Sequence, residues 1–148
     1  MEYTLTSKQV LHKLGISKNY TGYDYILYGL SLVKQNEYYL SNITKILYVD
    51  IAKEFHTSPT CVERNIRKVI EVIWSHVLEN QPFIETVFGS KYLAQKPTNR
   101  EFLELLYEYM SCENILLDVL EHYGTVKCPI SNKPCTLCSK IINALRNQ

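Results

Sequence analysis

The amino-acid sequence predicts an all-α protein, in which a compact multi-helix domain containing a helix-turn-helix precedes a C-terminal helical extension that contains cysteines. Apolar residues recur at helical spacing along nearly the whole chain, whereas no stretch sustains the alternation typical of a strand. Residues that start and end helices lie at the edges of these apolar patterns. The length of 148 residues suits one core with an appendage, because chains commonly divide into domains of about 100–150 residues.

Two helices are predicted near the N-terminus. Their apolar positions are Val10, Leu11 and Leu14, followed by Tyr23, Ile26, Leu27, Leu30 and Val33. We expect Ser7 and Thr21 to cap these helices, since a hydroxyl can accept a free backbone N–H. Gly15 should end the first one, because a left-handed conformation costs glycine little. A third helix is predicted to start after Ser41 and to carry Ile43, Ile46 and Leu47.

Residues 49–73 have the pattern of a helix-turn-helix, which needs a short helix, a tight turn and a second helix. The first helix, 49–55, stops at His56, and its small residue Ala52 lets the two helices approach each other closely. Ser58 followed by Pro59 is a strong start for the second helix, which should reach Trp74 or beyond. The residues predicted to hold the pair to the core are Phe55, Val62 and Ile66.

The remaining predicted helices follow a loop-rich stretch. Pro82 to Phe88 indicates a short helix ended by Gly89, and Thr98 with Glu101 forms the capping box of the next helix. That helix carries Phe102, Leu103, Leu106 and Met110, and either breaks near Ser111 or continues to His122 before Gly124. Ile141, Ile142 and Leu145 suggest one closing helix.

Composition excludes several classes of protein. With 46% apolar and 21% charged residues, the chain is globular rather than disordered. No signal peptide and no membrane-spanning stretch is evident, so we expect a cytoplasmic protein with no membrane association. Five cysteines, an odd number, argue against a disulfide framework. Histidines are scattered and no catalytic motif occurs, so an enzyme is not expected.

Charge is distributed unevenly although the net charge is only +1. Residues 45–100 carry eight basic and six acidic side chains, 101–123 carry six acidic and no basic ones, and 124–148 carry four basic and no acidic ones. An argument for nucleic-acid binding must therefore rest on local charge rather than on the total. The acidic stretch 101–123 is either a solvated face or a segment that shields the basic helix from DNA.

The second helix of the helix-turn-helix presents a mixed, hydrogen-bonding outer face. With Val62 and Ile66 facing the core, the side chains that point away are Thr60, Glu63, Arg64, Arg67 and Lys68. Arginine can donate twice to guanine, glutamate can accept from cytosine, and threonine can serve either base. Arg67 and Lys68 are better placed for phosphates. On spacing alone, an amphipathic helix with a solvated charged face remains open.

Several ordered blocks resemble the C-terminal effector domain of the master response regulator of sporulation in endospore-forming bacteria, the stage zero sporulation protein A family. The resemblance runs from about Leu5 to Met110. The blocks that carry it are 22–25 (GYDY), 43–48 (ITKILY), 50–55 (DIAKEF), 62–67 (VERNIR), 70–74 (IEVIW), 96–99 (KPTN) and 101–102 (EF). The resemblance therefore implies a DNA-binding domain at 1–110 and an extension at 111–148.

That family domain is all-helical and binds double-stranded DNA, often as tandem copies on adjacent sites. By resemblance, Glu63 and Arg64 take base-reading positions, Arg67 contacts DNA, and Lys96 contacts the DNA backbone. Cys61 stands where the family typically has a base-reading arginine, which removes a contact worth about 1–3 kcal/mol of discrimination. We accordingly predict Thr60, Cys61, Glu63 and Arg64 as base-reading residues, and Arg67, Lys68 and Lys96 as backbone contacts.

Two other departures separate this chain from the family pattern. Val49 replaces a proline that begins the first helix of the pair, a change that we expect the fold to tolerate. The regulator also carries an N-terminal phosphorylatable receiver domain, whereas this chain begins almost where the effector domain begins. We therefore expect a regulator that acts without aspartate phosphorylation.

Beyond Met110, the cysteines could bind a metal. Cys128, Cys135 and Cys138 form a C-x6-C-x2-C pattern, and a C-x2-C turn can place two thiolates on one Zn²⁺. Cys112 or His122 could complete the tetrahedral set. Free or packed thiols are an equal alternative, since unpaired cysteine behaves as a small buried hydrophobe. DNA binding itself should need no cofactor.

The function that we expect from the sequence is that of a sequence-specific transcriptional regulator with a recognition helix at about 59–74, bound to the bacterial nucleoid. It could act as a homodimer on tandem sites. The alternative is an interaction module that antagonises the full-length sporulation regulator by mixed dimerisation or by competing for its sites.

Overall fold

Helices account for the fold, as the apolar periodicity predicts. In the computed structural model the backbone is described from residue 6 to residue 123 and the side chains from 6 to 112. Within that range no strand occurs, and the elements are α1 (Ser7–Lys13), α2 (Thr21–Gln35), α3 (Tyr38–Ser41), a π-helical turn (Ile43–Leu47), α4 (Tyr48–Glu54), α5 (Pro59–Ser75), α6 (Gln81–Phe88), a 3-10 turn (Ser90–Leu93) and α7 (Asn99–Tyr123). The all-α prediction is confirmed.

The chain divides into two units, Leu5–Ser111 and the combination of Met1–Thr4 with Cys112–Gln148. The hydrophobic core described by the structure lies in the first unit, with its largest fully buried side chains being Phe102, Leu11, Ile16, Ile26 and Leu47. No helix in the described part of the chain is both long and apolar enough to cross a membrane. The closing helix predicted near Ile141 lies outside the described residues.

Both predicted N-caps near the start of the chain are wrong by one residue. The N-cap of α1 is Thr6, which forms a capping box with Gln9, so Ser7 is the first helical residue. The reciprocal bonds run from Thr6 N to Gln9 Oε1 (2.8 Å) and from Gln9 N to Thr6 Oγ1 (3.4 Å). Thr21 is likewise the first residue of α2, whose N-cap Tyr20 makes no side-chain capping bond.

Glycines end two helices as predicted. Gly15 has φ +85° and follows α1, where its N–H bonds the His12 carbonyl (2.9 Å) and the Ile16 N–H bonds the Leu11 carbonyl (2.9 Å). These two bonds form a Schellman motif, which satisfies the last carbonyls of the helix. Gly89, with φ +94°, ends α6 in the predicted position.

The predicted third helix is more complex than its apolar pattern indicates. A four-residue helix, α3, precedes it, and the stretch carrying Ile43 and Leu47 is a π-helical turn that leads into α4. The Asn42 carbonyl accepts from both Ile46 N (2.9 Å) and Leu47 N (3.2 Å). Apolar spacing did not distinguish these two hydrogen-bond patterns, so the wider turn went unpredicted. At the other end of the unit, α7 continues without a break past Ser111.

The backbones of α2 and α5 approach each other closely at Gly22. A Cβ atom at that position would lie 2.3 Å from the backbone oxygen of Asn65 and 2.7 Å from Val69 Cγ2. The C-terminal half of α5 is held separately, because Trp74 donates from Nε1 to the Tyr92 carbonyl (2.7 Å) and packs edge-on against Phe88. Together these contacts fix α5 along its length.

We expect Gly22→Ala to lower the free energy of unfolding by about 1–3 kcal/mol, because the added methyl meets backbone that cannot rotate away. Chemical denaturation of the purified protein measures this change. The matched control is Gly29→Ala on the same helix, where the nearest atom is the terminal Cδ1 of Ile51 at 3.1 Å. There, the gain in helix propensity of up to ~1 kcal/mol should offset the crowding. Equal losses in both variants would contradict the close approach at Gly22.

Candidate nucleic-acid interface

Helices α4 and α5 form the predicted helix-turn-helix. Between them the chain turns at His56, whose φ of +52° is left-handed, and the Thr57 N–H bonds the Ala52 carbonyl at 2.9 Å. His56 N also reaches the Lys53 carbonyl at 3.5 Å, so this turn repeats the bonding pattern that ends α1. Here, a histidine occupies the left-handed position instead of a glycine, and for this reason the turn conformation was not evident from the sequence.

The inner side of the pair is packed as the sequence predicts, with one exception. Ala52 is 3% exposed, and Val62 and Ile66 are fully buried. Phe55, predicted to join them, is 37% exposed. Its ring lies against Tyr25 and Tyr28 in edge-to-face contacts with centroid separations of 5.0 and 5.8 Å. Phe55, the C-cap residue of α4, therefore sits at the rim of the core, where its ring packs against tyrosines of α2.

The start of α5 is confirmed in detail. Ser58 has extended backbone angles and its hydroxyl accepts from the Cys61 N–H (3.2 Å). Pro59 occupies the first helical position, where its missing N–H costs no helical hydrogen bond. The cap fixes where the helix starts, and thereby which side chains of its first two turns face away from the core.

The predicted contact residues lie on the outer side and along both flanks of α5 and on the loop before α7. Thr60, Arg64, Arg67 and Lys68 of α5 are exposed, as is Lys96 of the loop. Glu63 and Cys61 are half-buried. These two half-buried side chains lie on opposite flanks of α5. Glu63 faces the loop before α7, and Cys61 faces α2.

Cys61 marks the flank next to α2. Asn65 donates from Nδ2 to the Cys61 carbonyl (2.8 Å) and to its Sγ (3.3 Å). Cys61 also neighbours Tyr25 of α2, whose pKa is raised by burial and by Cys61. The thiol thus faces neutral polar groups of α2 and α5.

Carboxylates already hold two of the predicted backbone-contacting cations. Arg67 bonds Glu63 one turn earlier on α5. Lys96 Nζ lies 3.5 Å from Glu71 Oε1, which links the loop to α5. Exposed pairs of this kind contribute little to stability, typically about 0.2–1 kcal/mol, so a stronger anion can displace the carboxylates.

Asn99, the first residue of α7, was missed by sequence reasoning. Its Nδ2 donates to the Tyr48 hydroxyl (3.1 Å) at the start of α4 and to the Glu63 carbonyl (3.0 Å) on α5. Burial raises the pKa of the Tyr48 hydroxyl, which keeps it protonated. One amide therefore ties both helices of the pair to α7. The block of residues 96–99 contained this asparagine, but nothing in the sequence reveals a bond across 36 or 51 positions.

The capping box that starts α7 is present as predicted. Thr98 N donates to Glu101 Oε2 (2.8 Å), and Glu101 N donates to Thr98 Oγ1 (3.2 Å). The hydrogen bond from the Thr98 backbone lowers the pKa of the Glu101 carboxyl. This box fixes the start of α7, and with it the position of Asn99.

The predicted metal ligands fall almost wholly outside the described side chains. Cys112 is exposed, whereas Cys128, Cys135, Cys138 and the side chain of His122 are not among the described residues. Among the side chains that are described, no group of His, Cys, Asp or Glu could hold a metal ion. The zinc site stays a prediction.

The chain matches a known protein-family model. The family model described as the C-terminal domain of the sporulation initiation factor Spo0A matches residues 7–110. The match includes α1 to α6, the start of α7 and every residue of the helix-turn-helix.

We expect Asn99→Ala to lower the free energy of unfolding by about 1–3 kcal/mol, because the variant loses the hydrogen bonds to the Tyr48 hydroxyl and to the Glu63 carbonyl, each worth about 0.5–1.5 kcal/mol. Asn99→Asp is the matched variant, since aspartate is favourable in the first turn of a helix but cannot donate as a carboxylate. It should also lose stability in thermal or urea denaturation, because its carboxylate cannot donate to the Glu63 carbonyl. An unchanged stability of Asn99→Asp would contradict the conclusion that the Asn99 amide holds α4 and α5 to α7.

Proposed function

The chain belongs to the family of the Spo0A C-terminal domain, a family of DNA-binding effector domains, and on this premise we propose that it is a sequence-specific transcriptional regulator with α5 as its recognition helix. The observation that carries the proposal is the two-sided character of α5. Its inner side buries Val62 and Ile66, while Thr60 and Arg64 project to solvent from its first two turns. A helix held in this way can enter the major groove of B-DNA.

Base recognition is assigned to the first two turns of α5. Arg64 is exposed, and its guanidinium can donate to guanine O6 and N7 together. Glu63 can accept from cytosine N4 once Arg67 leaves it for a phosphate. Thr60 can bond either base, and the half-buried Cys61 offers only a short, weakly polar side chain.

Contacts with the DNA backbone are assigned to Arg67, Lys68 and Lys96. All three are exposed, and Arg67 and Lys96 must give up their ion pairs with Glu63 and Glu71 when they turn to DNA. Phosphate contacts position a protein on the duplex without reading its sequence, so these residues should affect every DNA sequence alike. Local charge thus accounts for binding by a chain whose net charge is only +1.

Selection of bound DNA from a random pool tests the function directly, and binding to the selected site then separates the roles. We expect Arg64→Ala to relax the preference at one base pair by about 1–3 kcal/mol. Arg67→Ala should weaken binding to all sequences and reduce the salt slope by about one unit. If no sequence is enriched from the pool, the proposal fails. If both variants lose affinity equally on every sequence, the assignment of base reading to Arg64 and of phosphate contact to Arg67 fails.

We further expect Glu71→Gln to strengthen DNA binding by up to about fivefold on any sequence, because the loss of an exposed ion pair of ~0.2–1 kcal/mol releases Lys96 for a phosphate. Glu85→Gln on α6 is the control, since it makes the same charge change at an exposed position on another helix. Fluorescence anisotropy with labelled duplexes measures both. An equal gain from both variants would show a general charge effect instead of a released lysine.

A further inference from the structure

A second cationic surface lies beside the helix-turn-helix, outside the residues assigned above. It is a concavity whose polar lining comprises Ser41, Asn42, Thr44, Lys45, Tyr48 and Arg100. These residues come from the end of α3, the π-helical turn, the start of α4 and the first turn of α7. Two cations and three hydroxyl groups line the concavity and no carboxylate does, so it is suited to an anion.

The π-helical turn forms one wall of this concavity. Because the Asn42 carbonyl accepts from both Ile46 and Leu47, the turn is wider than an α-helical one. Its exposed residues are Thr44 and Lys45, while Ile43 and Leu47 are buried. Wide turns of this type are rare and frequently occur at functional sites. Here, the wider turn leaves an ammonium and a hydroxyl exposed just before α4.

Arg100 of α7 also lines the concavity and connects it to the proposed DNA-binding surface. It also lines a groove together with Glu63, Arg67 and Lys96. Its Nε donates to Glu104 Oε1 (2.8 Å), one turn further along α7. That bond uses one of the five guanidinium donors, and among the described residues no other bond to Arg100 is found, so its terminal amino groups can receive a second anion.

The position of the concavity relative to α4 identifies the anion. In a helix-turn-helix complex, the first helix of the pair crosses the sugar-phosphate backbone while the second enters the groove. Lys45 lies three residues before α4 begins, and Tyr48, the first residue of α4, is bonded to Asn99 next to Arg100. Asn99 in turn holds the Glu63 carbonyl of α5. The concavity is therefore tied to both helices of the pair, at the end where α4 begins.

We propose that this concavity, the Lys45–Arg100 site, binds one phosphate of the DNA backbone beside the major groove that α5 enters. The inference rests on the proposed function and adds a contact to it. Lys45 supplies a point charge, the terminal amino groups of Arg100 donate to the phosphate oxygens, and the hydroxyls of Ser41 and Thr44 are further donors. The site fixes the register of the protein on the duplex and reads no base.

The test compares Lys45→Ala, Arg100→Ala and Arg100→Lys in the full chain, on the selected duplex and on a random one, over a series of salt concentrations. Each alanine variant should lose roughly tenfold in affinity on both duplexes at ~0.1 M salt and lower the salt slope by at most about one unit, because both cations hold the same phosphate. Arg100→Lys keeps the charge and should retain the slope. Because both side chains are exposed, thermal unfolding should be unchanged.

Lys34→Ala provides the control, since Lys34 is an exposed cation in the last turn of α2. It should leave affinity and slope at the values of the unsubstituted protein. If Lys45→Ala and Arg100→Ala behave like Lys34→Ala while the unsubstituted protein binds DNA, the Lys45–Arg100 site is refuted and the proposed function stands. If the unsubstituted protein binds no duplex, the proposed function is refuted, and this site with it.

Discussion

The close approach of α2 and α5 at Gly22 determines how α5 is presented. A side chain larger than hydrogen would meet the Asn65 carbonyl at 2.3 Å, so the backbones can lie together only at a glycine. With α5 against α2, the stripe containing Val62 and Ile66 is buried and Arg64 must face solvent. The outer surface of α5 is thus a consequence of packing on its inner side. Helix propensity alone does not determine which charged residues of α5 project to solvent, because rotating the helix about its axis leaves its propensity unchanged.

The electrostatics of this surface depend on competition between carboxylates and other anions. The net charge of +1 supplies no general attraction for a polyanion, yet Arg67 and Lys96 stand next to Glu63 and Glu71. Ion pairs of this kind reduce the positive charge of the surface until a phosphate with several acceptor oxygens replaces the carboxylate. A lower positive charge limits non-specific attraction to DNA, which is mainly electrostatic. On the proposed function, base contacts would then contribute a larger share of the affinity.

Features encoded by neighbouring residues could be predicted from the sequence, and those that depend on distant residues could not. Ser58 with Pro59 and Thr98 with Glu101 are local signals, and both were predicted correctly because each helix start is fixed within four residues. The bonds of Asn99 to Tyr48 and Glu63 join three helices and leave no trace in any one segment. Ser7 was mistaken for a cap because Thr6 and Ser7 have equivalent hydroxyls, and only the capping box of Thr6 with Gln9 separates them.

The two flanks of α5 differ in chemistry, and this asymmetry bears on which sequence the protein would select. On the flank next to α2, the Cys61 thiol accepts from Asn65, and neither residue offers a charge to a base. On the flank next to α7, Glu63 and Arg67 are adjacent to Lys96 and to the start of α7. Charged contacts are stronger than neutral ones by about twofold. On the proposed function, discrimination should therefore be concentrated in the base pairs that face Arg64 and Glu63, and the base pairs facing Cys61 should tolerate substitution.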